Sequence, residues 1–235
     1  MTRLPFRAAL LASIGAIALT ACQETGPPVA ALEAAELIVE DAPVTETMSR
    51  LPAMTCGADG LIGAETTRET LAAMFGAENL AEEELSWVDS TETALVLYPN
   101  EPATRAELFW LDKSSGGPRH VRVQGEDSQW IGPVGLFVGA SLADVEAANG
   151  GPFEMMGFEN HNAGEVTNWQ GGALAAKPGE TCEVGMVMAL PADLPESIVS
   201  AVSGDPEKVY RSDSPEMRAA NPAVYGLALD FFDPA

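Results

Sequence analysis

Basic residues are scarce in this chain: 12 Lys and Arg stand against 35 Asp and Glu among 235 residues, a formal net charge of −23. Binding to nucleic acid depends on clustered positive charge, so no nucleic-acid partner is expected. Histidine is scarcer still, with two copies, His120 and His161. Histidine exchanges protons most readily near neutral pH, so a general acid–base site has little to draw on. His120 lies in the alternating run His120-Val121-Arg122-Val123-Gln124 and reads as a surface side chain. His161 sits in a polar loop, Glu159 to Glu165, without the Asp/Asn ladder and closing Glu of a calcium loop or the paired histidines of a zinc site. The Gly-x-Ser-x-Gly, His-Glu-x-x-His and Gly-Lys-Ser/Thr strings are missing as well. No catalytic residue, metal ligand or cofactor is therefore expected.

Long apolar runs are also lacking. Ala8 to Leu19 is apolar but too short for a comfortable membrane span. It follows Arg3 and Arg7, the charged-then-apolar layout of a secretory leader. The run ends in Leu19-Thr20-Ala21-Cys22, which resembles the lipobox of bacterial lipoproteins. That resemblance implies a signal peptide over residues 1–21, lipidation of Cys22, and attachment to a membrane through the N-terminal lipid. By the same analogy Gln23, rather than Asp, after the anchor implies the cell envelope and the periplasmic face of the outer membrane. Loss of the leader takes Arg3 and Arg7 with it, leaving ten basic residues against 35 acidic ones and a net charge of −25.

Cysteine is the third shortage, with three copies. If lipid occupies Cys22, the two that remain, Cys56 and Cys182, are expected to pair in an oxidising compartment. A bridge closing so long a loop contributes at most about 4–5 kcal/mol by chain entropy. Neither cysteine has a CxxC partner or a neighbouring histidine to make it a reactive thiol.

What is present reads as a tethered α+β body. Residues 22–53 form the anchor and linker, with Gln23 to Pro28 as spacer and a short helix over Ala30 to Val39. The globular domain covers residues 54–235 and divides into two related units, about 56–130 and 131–235. In the first, Thr66 and Glu69 form a capping box, Leu71, Met74 and Phe75 an apolar face, and Gly76 a helix stop. Strands are expected over Glu84 to Val88, Thr93 to Tyr98, Ala106 to Leu111 and Arg119 to Gln124. The second unit restates this grammar: Ser141 with Asp144, then Leu142 and Val145, then Gly150. Strands over Phe153 to Phe158, Glu165 to Trp169 and Thr181 to Leu190 follow. A short helix over Leu194 to Val202 follows, and the alternation of Tyr, Leu, Leu and Phe from Tyr225 through Phe231 argues for a final strand completing a sheet.

The stretch Val138 to Glu146, continued by Asn149-Gly150-Gly151-Pro152-Phe153, resembles the repeat of beta-lactamase-inhibitor-protein-like domains and of small SmpA/OmlA-type outer-membrane lipoproteins. Segments such as Leu97-Tyr98-Pro99-Asn100, Ser128-Gln129-Trp130 and Trp169-Gln170-Gly171-Gly172 are similar to those of uncharacterised bacterial envelope lipoproteins. The resemblance implies duplicated units of a short helix plus antiparallel sheet, and no mechanism. Trp130 and Trp169 stand in or beside predicted strands next to glycine-rich turns, and with Phe158 they are the candidates for partner binding on an exposed sheet. Glu82-Glu83-Glu84, the densest acidic stretch, reads as a solvated loop or helix end. The function expected is non-enzymatic binding or inhibition toward an envelope protein partner. A structural accessory of outer-membrane assembly or maintenance is the alternative, and an unrecognised enzyme the second.

Overall fold

The computed structural model describes residues 51, 53–56, 61–86, 90–110, 116–159, 161–177, 180–203 and 205–232. The leader, Cys22, the helix expected over Ala30 to Val39, and Trp87 and Val88 at the end of the first expected strand lie outside the described residues. Among the described residues no helix is long and apolar enough to cross a membrane.

The body is α+β with antiparallel sheets. A short helix, α1 (Arg68–Phe75), leads into β1 (Leu80–Ser86), β2 (Thr91–Leu97), β3 (Ala106–Phe109) and β4 (His120–Gln124). After α2 (Leu142–Asn149) come β5 (Glu154–Met156), β6 (Val166–Asn168) and β7 (Cys182–Ala189). The chain then runs through α3 (Glu196–Ser203), β8 (Val209–Arg211) and α4 (Pro215–Ala220) to β9 (Ala223–Phe231). Six strands form one sheet in the order β1-β2-β3-β4-β9-β7, and three form another in the order β6-β5-β8. A single bridge, Glu165 to Val187, links the start of the β6 hairpin arm to β7.

Capping chemistry sets both early helices. Thr67, one residue later than expected, caps α1, and its hydroxyl accepts from the Thr70 N–H at 3.1 Å. Thr66 is committed elsewhere, because its hydroxyl accepts from the Gly63 N–H at 2.8 Å in the preceding turn. Leu71 is buried, but Met74 points outward and is 48% exposed, so the apolar face of α1 is narrower than the sequence suggests. In α2 the expected box forms between Ser141 and Asp144, Leu142 and Val145 are buried, and Gly150 ends the helix in the left-handed conformation. Two elements escape the sequence reading, β8 and α4. The first is three residues long, and the second opens on Ser214 and Pro215, a cap and first-turn signal that was legible.

One face of the six-stranded sheet carries the core. Leu95, Leu97, Leu108, Val121, Val123, Leu227 and Leu229 pack there with Leu71 and Leu142 of the helices. Cys56 and Cys182 are joined in a disulfide, with 5.3 Å between their Cα atoms, which ties the segment before α1 to the first residue of β7. Glu82, Glu83 and Glu84 lie in edge strand β1, not in a loop or helix end. Their charge is tolerated because Arg68 meets Glu82 at 2.6 Å and Arg105 meets Glu83 at 2.8 Å. A charged edge strand also discourages pairing with another chain.

Candidate functional site on the second face of the sheet

The partner-binding residues expected from the sequence are not on an exposed platform. Trp130 is 0% exposed, and its indole N–H donates to the Thr104 carbonyl at 2.9 Å. Trp169 is 4% exposed, donates to the Val184 carbonyl at 2.9 Å, and lies 5.4 Å from the Phe153 ring. Phe158 is partly buried against the same core. The glycine-rich turns next to these tryptophans fold them inward, where large rings are buried and their N–H groups are satisfied by backbone oxygens.

What the sheet offers instead is its second face. Register places three rows side by side across β4, β9 and β7: His120, Asp230 and Glu183; then Arg122, Ala228 and Gly185; then Gln124, Gly226 and Val187. These rows alternate with the core-facing residues Val121, Leu229 and Val184, and Val123, Leu227 and Met186. The middle of the face thus has almost no side chain, and a cleft of about 490 Å³ opens over it.

Each wall has a local cause. His120 is held on the β4 side, with its Nδ1 2.7 Å from Asp230 Oδ1 and its ring 5.4 Å from that of Phe109. Its side chain is 14% exposed, which corrects the surface reading, while that of Asp230 is 50% exposed. Beside it Arg122 meets Glu107 at 2.6 Å, and its guanidinium lies over the Phe109 ring at 5.6 Å. Glu107, 4% exposed, also meets Arg105 at 3.1 Å, and Arg105 continues to Glu83. Burial works against the Arg105 charge, but hydrogen bonds to Glu83 and Glu107 outweigh it and hold the guanidinium above its ordinary value. Beneath this network Ala94, Val96 and Phe109 make a small apolar cluster separate from the main core.

The opposite wall is the turn carrying His161, Asn162 and Ala163. Gly164 straps it to β7: the Met188 N–H donates to the Gly164 carbonyl at 2.9 Å. A Cβ at Gly164 would lie 2.0 Å from the Met188 carbonyl oxygen, and its φ is +74°, so no other residue fits there unstrained.

Tyr225 closes one end. Val187 pairs with Gly226 and Met188 with Val224, so Tyr225 is an extra, unmatched residue of β9. A β-bulge of this kind re-aims a side chain. By parity Tyr225 belongs inward with Leu227 and Leu229; instead it is 43% exposed and lines the cleft. The sequence did hold a signal, because an isolated glycine after it, Gly226, in a strand pattern marks a bulge or a close approach. The His120–Asp230 pair had none, since it depends on the register of two strands 110 residues apart.

Chemically, the cleft gathers hydrogen-bond donors and acceptors along a nearly bare floor. Asp230 fixes the orientation of the His120 ring. Among the described residues no group of three or more His, Cys, Asp or Glu is arranged to hold a metal ion. No protein-family model, curated protein or solved structure matches this chain.

Proposed function

We propose that this chain is a lipid-anchored protein of the cell envelope, at the periplasmic face of the outer membrane, that acts by binding and uses the second-face cleft as its binding site. The leader and the Cys22 lipobox support the anchoring. The observation that carries the binding role is the cleft itself, about 490 Å³ with a floor of Gly185, Gly226 and Ala228. Val187 and Tyr225, two of the few large apolar side chains left exposed among the described residues, both border it. Ligand sites combine such apolar surface with a few fixed polar groups.

We also read the body as two copies of one helix-then-sheet unit, as the beta-lactamase-inhibitor-protein-like resemblance implies. Strands β1 to β4 follow α1, and β5, β6, β7 and β9 follow α2. With the Glu165 to Val187 bridge included, the strands run β1-β2-β3-β4 and then β9-β7-β6-β5, a palindrome centred on the β4–β9 pair. On this reading α3, β8 and α4 are an insertion between the third and fourth strands of the second copy.

The test has two arms. Intact-mass analysis of the protein from its native membrane should find a chain that begins at a fatty-acylated Cys22; a chain that still begins at Met1 refutes the anchoring. The mature chain and its Gly226→Val variant, which fills the floor, should then be exposed to envelope extract and compared by native mass spectrometry. A bound species retained by the mature chain and lost in the variant is expected; retention indifferent to the variant refutes the site.

A second reading, an unrecognised enzyme, has one observation in its favour: His120, paired with Asp230, shares the cleft with His161 and Glu165.

A further inference from the structure

The walls of the cleft constrain what it can hold. Strong anions are disfavoured, because the Arg122 charge is already engaged by Glu107 and the chain as a whole carries −23. A compact cation is disfavoured too. Asp230 is engaged by His120 in the first row, whereas Glu165 stands beyond Val187 in the third, so the carboxylates border the cleft without converging.

What remains is a site rich in hydrogen-bonding groups whose carboxylates stand apart. Gln124 on the β4 side and the His161 ring on the opposite wall supply N–H donors, and Asp230 and Glu165 supply acceptors, around the same floor. Hydroxyl groups suit such a wall, since each both donates and accepts. The floor suits the C–H face of a ring: Gly185 and Gly226 offer no side chain, and a Cβ built at Gly185 would already stand 3.2 Å from the Ala228 Cβ. Tyr225, turned out by its bulge, adds an exposed aromatic face at the end of that strip. A ligand that is flat and apolar on one face and ringed by hydroxyls at its edge is a sugar.

We propose that the second-face cleft is a binding site for a short uncharged glycan, its ring lying on the Gly185, Gly226 and Ala228 floor and against Tyr225, with hydroxyls bonded to the flanking side chains. This rests on the reading of the cleft as the binding site. The cleft volume, about 490 Å³, falls within the range of about 300–1,000 Å³ typical of small-molecule sites.

The experiment is a titration of the full mature chain with maltotriose, cellotriose and chitotriose, followed by backbone amide NMR, with trilysine and trigalacturonate as charged probes. At least one neutral trisaccharide should shift Gly185, Tyr225 and Gly226 saturably. Tyr225→Ala and Gly226→Val should each weaken it by about tenfold or more, the scale of one lost aromatic contact with its buried area. Tyr225→Phe, which keeps the ring, should retain most of the binding and guards against loss of fold as the cause. If trilysine or trigalacturonate shifts these residues and no neutral sugar does, the glycan assignment is overturned and the cleft stands as a binding site. If the cleft residues stay silent to all three classes, both are overturned.

Discussion

Glu107 joins two cations on the second face. It is 4% exposed and serves two guanidinium groups, those of Arg105 and Arg122. Removing one partner of a buried ion pair leaves charge in poor solvation, a cost of about 3–5 kcal/mol when burial is complete. Both arginine side chains keep roughly a fifth to a quarter of their surface, 24% and 21%, so the lower end applies. Glu107→Ala should lower the unfolding free energy by about 3 kcal/mol, and Glu107→Gln by less, as measured by urea denaturation. An equal loss in both variants would show that the charge is immaterial. The buried tryptophans carry a different lesson at this scale. Nearness to a glycine-rich turn suggested that Trp130 and Trp169 face out, yet each indole N–H found a carbonyl in the interior. Residue type and neighbours name a candidate, but only the fold decides which way it points.

Among the elements, α1 and α2 both carry a capping box, and that of α2, built on a carboxylate, offers a pH handle. The Ser141 hydroxyl accepts from the Asp144 N–H, and the Asp144 carboxylate accepts in return from both the Ser141 hydroxyl and its N–H. Those bonds, the hydroxyl's first, hold the Asp144 carboxyl below the usual carboxylate range. Because the folded value is depressed, the associated stability is present above the unfolded value and is lost as pH falls through the folded one. Ser141→Ala should cost about 1 kcal/mol at neutral pH. Asp144→Asn should differ from the parent at neutral pH and converge with it in acid, as followed by thermal melts across the acidic range. A gap that persists at the lowest pH would sink this account of the cap. Helix caps of this kind were readable in the sequence because their chemistry spans three residues. So was the burial of β2 on both faces, where Ala94, Leu95, Val96 and Leu97 are each no more than 5% exposed. The bulge that turns Tyr225 outward was not, because strand parity assumes unbroken pairing and Gly226 alone could not say where the pairing slips. Half of the cleft wall hangs on that slip and on the Gly164 strap, and both depend on strands distant in sequence.

For the molecule as a whole the disulfide and the sheet order act together. Cys56 and Cys182 are 126 residues apart, and the bridge fastens the start of the body to β7, the last strand of the six. Reduction, or Cys56→Ser with Cys182→Ser, should destabilise the fold by up to about 4–5 kcal/mol while leaving the sheet intact at low denaturant. Circular dichroism with and without reductant checks it, and an unchanged midpoint would show that the link is dispensable. The pairing was legible from cysteine number and the compartment expected; the strand order was not, since the sheet joins segments from both ends of the body.

That order has a further consequence for synthesis. Among the described residues the last strand in chain order, β9, is not an edge but the seam between β4 and β7. Until Ala223–Phe231 has been made and delivered, both neighbours present bare backbone that can pair with a stranger. A chain that lacks β9 is therefore left with an open gap through the middle of its sheet, and completion waits on those nine residues to slot home.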